Sequence, residues 1–243
     1  MRFLRLCFMA VAALLCATAA AASGGGFPEG WRPGCEVPDE AVAAAGIGRC
    51  FTQEEISDDT FSRMRGRSWP DNCTLERSQL RYLRMVHRNA RGRTQVGEMV
   101  VNASIAAKVL GIFRRLYEQG YTIERMVLID EYGADDETAM RANNTSCFNF
   151  RFQTGSRTRV SKHGMGMAID INPLYNPYVR RRRDGTFHVE PSTGRKYAFN
   201  RGRRSDIPCK IDRSDLAYRL FTAAGFRWGG AWRSVKDYQH FEM

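Results

Sequence analysis

Ser161-Lys162-His163-Gly164-Met165-Gly166-Met167-Ala168-Ile169-Asp170 places a histidine and an aspartate around two glycines. Asp237-Tyr238-Gln239-His240-Phe241-Glu242-Met243 adds a second histidine, with a carboxylate shortly before it. Two imidazoles and one carboxylate are the ligands a catalytic zinc needs if its fourth position is to stay open for water. His163, Asp170 and His240 are therefore the candidate metal ligands, and Asp237 is left free to move protons. Gly164 and Gly166 let the chain turn sharply enough for His163 and Asp170 to converge on one ion. On a terminal strand Tyr238, His240 and Glu242 share a face, so Asp237 is expected at the loop-to-strand boundary. Trp228-Gly229-Gly230-Ala231-Trp232 supplies a bend and aromatic walls just upstream.

The flanking sequence gives these segments a frame. Met167 to Ile171 alternates as a strand, with Ala168, Asp170 and Asn172 on one face and Ile169 and Ile171 toward the core, and Pro173 ends it. Tyr178 to Glu190 reads as a hairpin around Asp184-Gly185, a favourable two-residue turn. Residues 191–210 look like an extended surface excursion. Asp212 to Ala224 is expected as a helix closed by Gly225, and Tyr238 to Glu242 as the last strand. Further upstream, Ile105, Val109, Ile112, Phe113 and Leu116 recur at helical spacing between Asn102, a good N-cap, and Gly120. Arg125 to Asp130 and Cys147 to Phe152 read as short strands, while Gln79 to His87 is either a strand or a helix. Helices and strands mix without regular βαβ alternation, which points to an α+β fold with a mainly antiparallel sheet.

The chain start resembles a secretory leader. Arg2 and Arg5 precede an apolar run from Leu4 to Leu15, too short to span a bilayer, and small residues follow from Ala17 to Ala22. Residues 1–22 are expected to be a cleaved signal peptide, 23–53 a Gly-, Ala- and Pro-rich linker, and 54–243 the catalytic domain. Cys16 invites a lipoprotein reading, but Leu15 stands where a small residue is expected. Without the leader, 35 basic residues face 26 acidic ones, and the formal charge falls from +11 to +9. Such a balance suits anionic polymers without choosing among them. Five cysteines remain after the leader, and an odd number leaves at least one thiol unpaired within the chain. Cys35 and Cys50 form a locally plausible pair, and no C-x-x-C occurs. His87 and His188 read as structural histidines.

The pattern Ser161-x-His163-x-x-Gly166-x-Ala168-x-Asp170, with Asp237-x-x-His240 near the end, resembles the zinc D-alanyl-D-alanine carboxypeptidase family. The likeness is greatest to its branch of L-alanyl-D-glutamate endopeptidases and runs from about residue 54 onward. The resemblance implies a Hedgehog-like α+β fold and one zinc per chain. It also implies His163, Asp170 and His240 as ligands, Asp237 as catalytic acid/base, and hydrolysis of peptide bonds in peptidoglycan stem peptides. Many members carry Glu where Asp237 stands. The family's substrate-binding arginine, which faces the scissile carbonyl or its oxyanion, is best matched by Arg151.

The expected product of this gene is thus an exported, monomeric enzyme of the periplasm or cell surface, without stable membrane insertion after cleavage. A wall-binding protein with a structural zinc is the alternative, although such a module has no use for Asp237. The run Arg180-Arg181-Arg182-Arg183 raises a third possibility, nucleic-acid binding. Export and the lack of a nucleic-acid motif favour instead a solvated hairpin lying near anionic wall polymer or stem-peptide carboxylates.

Overall fold

Apolar residues spaced for one long hairpin and one amphipathic helix make the foundation on which the site strands rest. The computed structural model describes residues 26–153 and 155–243, so the expected signal segment lies outside the described residues. In chain order the elements begin with α1 (Asp39–Ala45), β1 (Phe51–Glu54), α2 (Asp58–Met64), β2 (Leu80–Arg88), β3 (Thr94–Asn102), α3 (Ala106–Glu118) and α4 (Asp136–Arg141). There follow β4 (Ala168–Asp170), β5 (Tyr178–Arg181), β6 (Phe187–Glu190), α5 (Leu216–Ala223), β7 (Arg227–Trp228), β8 (Lys236–Asp237) and β9 (His240–Glu242). They build three antiparallel sheets of three strands each, ordered β1-β2-β3, β4-β9-β7 and β6-β5-β8. The architecture is α+β. No helix among the described residues is long and apolar enough to cross a membrane.

β2 and β3 pair in register from Leu80↔Asn102 to Arg88↔Thr94. Asn89 closes their turn, its side-chain oxygen accepting the Arg91 and Arg93 amides at 3.0 and 3.1 Å. α3 lays Val109, Ile112, Phe113 and Leu116 over Leu83, Met85 and Met99 of this hairpin. The same core takes in Ile169 of β4, Phe221 of α5, Trp228 of β7 and Phe241 of β9. Phe241 is fully buried and stacks on Phe221 with ring centroids 4.6 Å apart. Burying such a ring stabilises by about 1.5–3 kcal/mol, which anchors the strand carrying His240.

Several expectations need correction. Asn102 does not cap α3; its oxygen accepts the Ser104 amide and hydroxyl instead, and the helix starts later at Ala106. Arg125 to Asp130 forms no strand of a sheet. Its amides are taken by side chains, Val127 N–H by Asn144 Oδ1 at 2.9 Å and Leu128 N–H by Glu98 Oε1 at 3.2 Å. Cys147 to Phe152 likewise lacks a ladder partner: the Phe148, Asn149 and Phe150 amides donate to Val100, His163 and Ser68 carbonyls in turn. The β5–β6 connection is a five-residue loop closed by Arg182 N–H to Thr186 O at 2.8 Å rather than a two-residue turn. Within residues 191–210, Arg201 is buried, and its guanidinium donates to the Tyr175, Tyr197 and Ile211 carbonyls and to Asn176 Oδ1. That segment lies at the surface but is not extended: it folds into two short helical turns, Ser192–Tyr197 and Arg201–Arg203, anchored by Arg201. Upstream, Val42 of α1 and Cys50 pack with Val86 and Tyr117, so residues expected as linker contribute a small core of their own. Cys35, Cys50, Cys73, Cys147 and Cys209 are all free thiols, with no Cys35–Cys50 bond.

Candidate metal centre

Strand register brings two of the candidate ligands together. Asp170 of β4 lies directly opposite His240 of β9, with Ile169↔Phe241 as the neighbouring pair. Alternation sends Ile169 and Phe241 into the core, so Asp170 and His240 project together from the other face. Directly opposite side chains start about 4.5–5.5 Å apart at Cβ, close enough to share an ion.

His163 arrives from a tight turn. Ser161 caps it, its Oγ accepting the Gly164 amide at 2.9 Å, and Met165 N–H and Met167 N–H return to Ser161 O and Lys162 O. Gly166 is required there: its φ is +67°, and a Cβ would stand 2.7 Å from the Asn102 backbone nitrogen. His163 Nδ1 donates to the Cys147 carbonyl at 2.8 Å, which leaves Nε2 as the free lone pair. On His240 the roles are reversed. Its Nε2 faces Glu242 Oε2 at 3.4 Å, and Nδ1 points at Asp170 Oδ1 at 3.0 Å. Partners on the far nitrogen fix tautomer and ring orientation in this way at metal sites.

Three lone-pair atoms now converge. His163 Nε2 lies 3.1 Å from His240 Nδ1 and 3.2 Å from Asp170 Oδ2. With both imidazoles neutral and their ring protons given to Cys147 and Glu242, no donor remains among the three, and such acceptors repel unless a metal cation or an added proton sits between them. The residues fit a zinc ion. The same convergence attracts protons: burial opposes charge on His240, yet hydrogen bonds that its ring donates to Asp170 and Glu242 push its pKa up to about 10. Burial would raise Asp170, but the two imidazoles hold it well below the usual carboxylate range.

Asp237 stands beside this cluster on a different sheet, where β8 pairs with β5 through Tyr178↔Asp237. Gly229 separates Asp237 from His240; a Cβ there would lie 2.8 Å from Asp237 Cβ and 3.3 Å from His240 Cβ. Trp228 Nε1 donates to the Tyr238 carbonyl at 2.9 Å and holds the turn between the two, while the Trp232 ring lies 5.3 Å from that of His240. Asp237 Oδ1 is buried and has no hydrogen-bond partner. Burial raises its pKa to about 6, against the pull of His240.

Residues 154–243, which contain all three candidate ligands and Asp237, match the family model described as D-alanyl-D-alanine carboxypeptidase. The C-terminal part of the chain is thus similar to this peptidase family. No curated protein and no solved structure gives a significant match.

The guanidinium of Arg151 is not in the candidate ligand cluster. Its Nη2 pairs with Asp136 Oδ2 at 3.2 Å, and Nη1 donates to the Asn149 carbonyl at 3.3 Å. Only its backbone supports the metal turn, the carbonyl accepting Ser161 N–H at 2.9 Å. His87 is buried with Nδ1 on the Ile123 carbonyl at 2.7 Å, and His188 pairs with Glu190 at 2.6 Å; both stand apart from the ligand cluster. Two contributors escaped the sequence reading. Glu242 orients His240 and is itself tied to Arg227 at 2.7 Å; its place two residues after His240, on the same strand face, was the available signal. The Cys147 carbonyl orients His163, and a backbone acceptor leaves no signal in side-chain identity.

Proposed function

We propose that the chain is an exported, monomeric zinc peptidase that hydrolyses peptide bonds in peptidoglycan stem peptides, as a D-Ala-D-Ala carboxypeptidase or an L-Ala-D-Glu endopeptidase. The observation that carries this reading is the convergence of His163 Nε2, Asp170 and His240 Nδ1 beside a buried carboxylate whose Oδ1 has no hydrogen-bond partner. Those three residues would hold the zinc. When bound, the ion supplies a water acidified toward a pKa of about 7 and a polarised scissile carbonyl. Asp237 accepts the proton of the attacking water and returns it to the leaving amine. Its burial suits both halves of that cycle, because a pKa near 6 lies close to working pH. Glu242 and the Cys147 carbonyl keep the imidazoles facing inward. Arg151 is assigned to the oxyanion, which requires substrate to replace Asp136 as the partner of its guanidinium.

The test is mass spectrometry of purified muropeptides treated with wild type and with Asp237→Asn. Wild type should release a stem-peptide fragment. The variant should keep one zinc equivalent and lose about 10²–10⁴-fold in rate, the usual contribution of a positioned acid/base. Near-wild-type hydrolysis by Asp237→Asn would sink the assignment.

A further inference from the structure

The β5–β6 hairpin carries charge that the fold does not use. Arg180, Arg181, Arg182 and Arg183 are all exposed, and among the described residues none has a carboxylate within 4.0 Å. The one acid in the loop is already committed: Asp184 Oδ1 accepts the Thr186 amide at 2.9 Å and its hydroxyl at 2.6 Å. Arg182 reaches only His188, at 3.2 Å. Beside the run lies Phe187, the sole large hydrophobic exposed among the described residues, at 38%. Its ring meets Phe199 at 5.1 Å, and Arg195, likewise free of any carboxylate, donates to the Phe187 carbonyl at 3.1 Å.

Register connects this patch to the candidate centre. Tyr178 pairs with Asp237, and Arg180 is two residues further along the same strand, paired with His188. Cross-strand partners share a face, as do residues two apart. Arg180 therefore projects from the Asp237 face, about 7 Å along β5 at 3.3–3.4 Å per residue.

We infer that this hairpin is an exosite that holds peptidoglycan through its stem-peptide carboxylates and presents a neighbouring stem to the site beside it. The inference rests on the proposed substrate. Stem carboxylates are favoured over the phosphates of other wall polymers because Arg180 is within one pleat of Asp237, inside the reach of a single stem peptide. Exposed guanidinium groups attract a polyanion through water, so binding should weaken as salt screens them.

Sedimentation with insoluble peptidoglycan stripped of phosphate polymers tests this. Asp237→Asn serves as host, so that the polymer is not consumed, and is compared with the same chain carrying Arg180→Gln, Arg181→Gln, Arg182→Gln and Arg183→Gln. At low salt the four-fold change should weaken retention at least about tenfold, and raising salt to about 1 M should release the host. Amidating the peptidoglycan carboxylates should release it too, an arm that does not depend on how the arginine variant folds. Equal retention of the two chains, or undiminished binding to amidated polymer, overturns the inference. So does binding that appears only when phosphate polymers remain, or retention on DNA without retention on peptidoglycan. Failure of the peptidase reading shows separately, as absence of muropeptide cleavage by wild type, and leaves these binding outcomes readable.

Discussion

Replacing Gly229 by alanine should slow turnover far more than it loosens the fold. The added methyl would meet the Asp237 carbonyl oxygen at 2.7 Å, Asp237 Cβ at 2.8 Å and His240 Cβ at 3.3 Å. Non-bonded carbons prefer about 3.5–4.0 Å, so Asp237 must retreat by about 0.7 Å or more, while His240 yields only a few tenths. The atoms in the way are backbone and Cβ, and no rotamer change relieves them. A displacement approaching 1 Å at a reacting group costs on the order of 10²-fold in rate, whereas one extra methylene costs about 1–3 kcal/mol in stability. Gly202→Ala is the control, because a Cβ there meets nothing within 4 Å. Rate on muropeptides, zinc content and melting temperature should be measured for both. The expected result is a zinc-loaded, folded Gly229→Ala chain with turnover down about a hundredfold, beside an unaffected Gly202→Ala. A folded Gly229→Ala enzyme with wild-type turnover refutes the placement of Asp237 as proton carrier.

Glu242→Gln should weaken zinc binding by about 10–100-fold, the usual effect of removing the partner behind a ligand histidine, with competitive chelator titration as the measurement. Unchanged affinity would mean that His240 needs no such support. His87 makes stability depend on pH. Burial depresses its pKa from 6.5 to about 4, and its Nε2 finds no partner. The unfolded chain then binds a proton that the folded chain refuses. Stability is complete above about pH 6.5 and declines as pH falls toward 4, by at most roughly 3.5 kcal/mol. Denaturant titrations at pH 7.5 and 4.5 should show a smaller acid loss in His87→Asn than in wild type; equal losses would contradict this.

What could be read from sequence was local. The candidate ligands stood in one short motif and one terminal pair, and α3, β4 and the β5–β6 hairpin announced themselves by their own periodicity. What could not be read depended on distant partners. Met126-Val127-Leu128-Ile129 looks like a strand because it is apolar, yet Asn144 and Glu98 side chains take the amides that a neighbouring strand would need. The segment from Cys147 distributes its amides over three carbonyls far apart in sequence, so its alternation never becomes a ladder. The exclusive pairing of Arg151 with Asp136 and Asn149 is of the same kind. Residue spacing pointed to that arginine and was silent about the carboxylate that claims it. The split between β8 and β9 followed from one constraint that was legible, since Asp237 and His240 cannot share a face of one regular strand.

The ladder that joins Asp170 to His240 has only three residue pairs, Ala168↔Glu242, Ile169↔Phe241 and Asp170↔His240. It closes a loop of roughly seventy residues, a contact whose entropy penalty grows as the logarithm of that length. An ion held across the ladder therefore acts as a reversible cross-link between remote parts of the chain. Each such ion bound only by the folded form adds stability that rises with free metal, about 2.7 kcal/mol at a hundred times its dissociation constant. If the site binds such an ion, metal supply would then govern how long the protein lasts, and scarcity would remove it through unfolding and proteolysis.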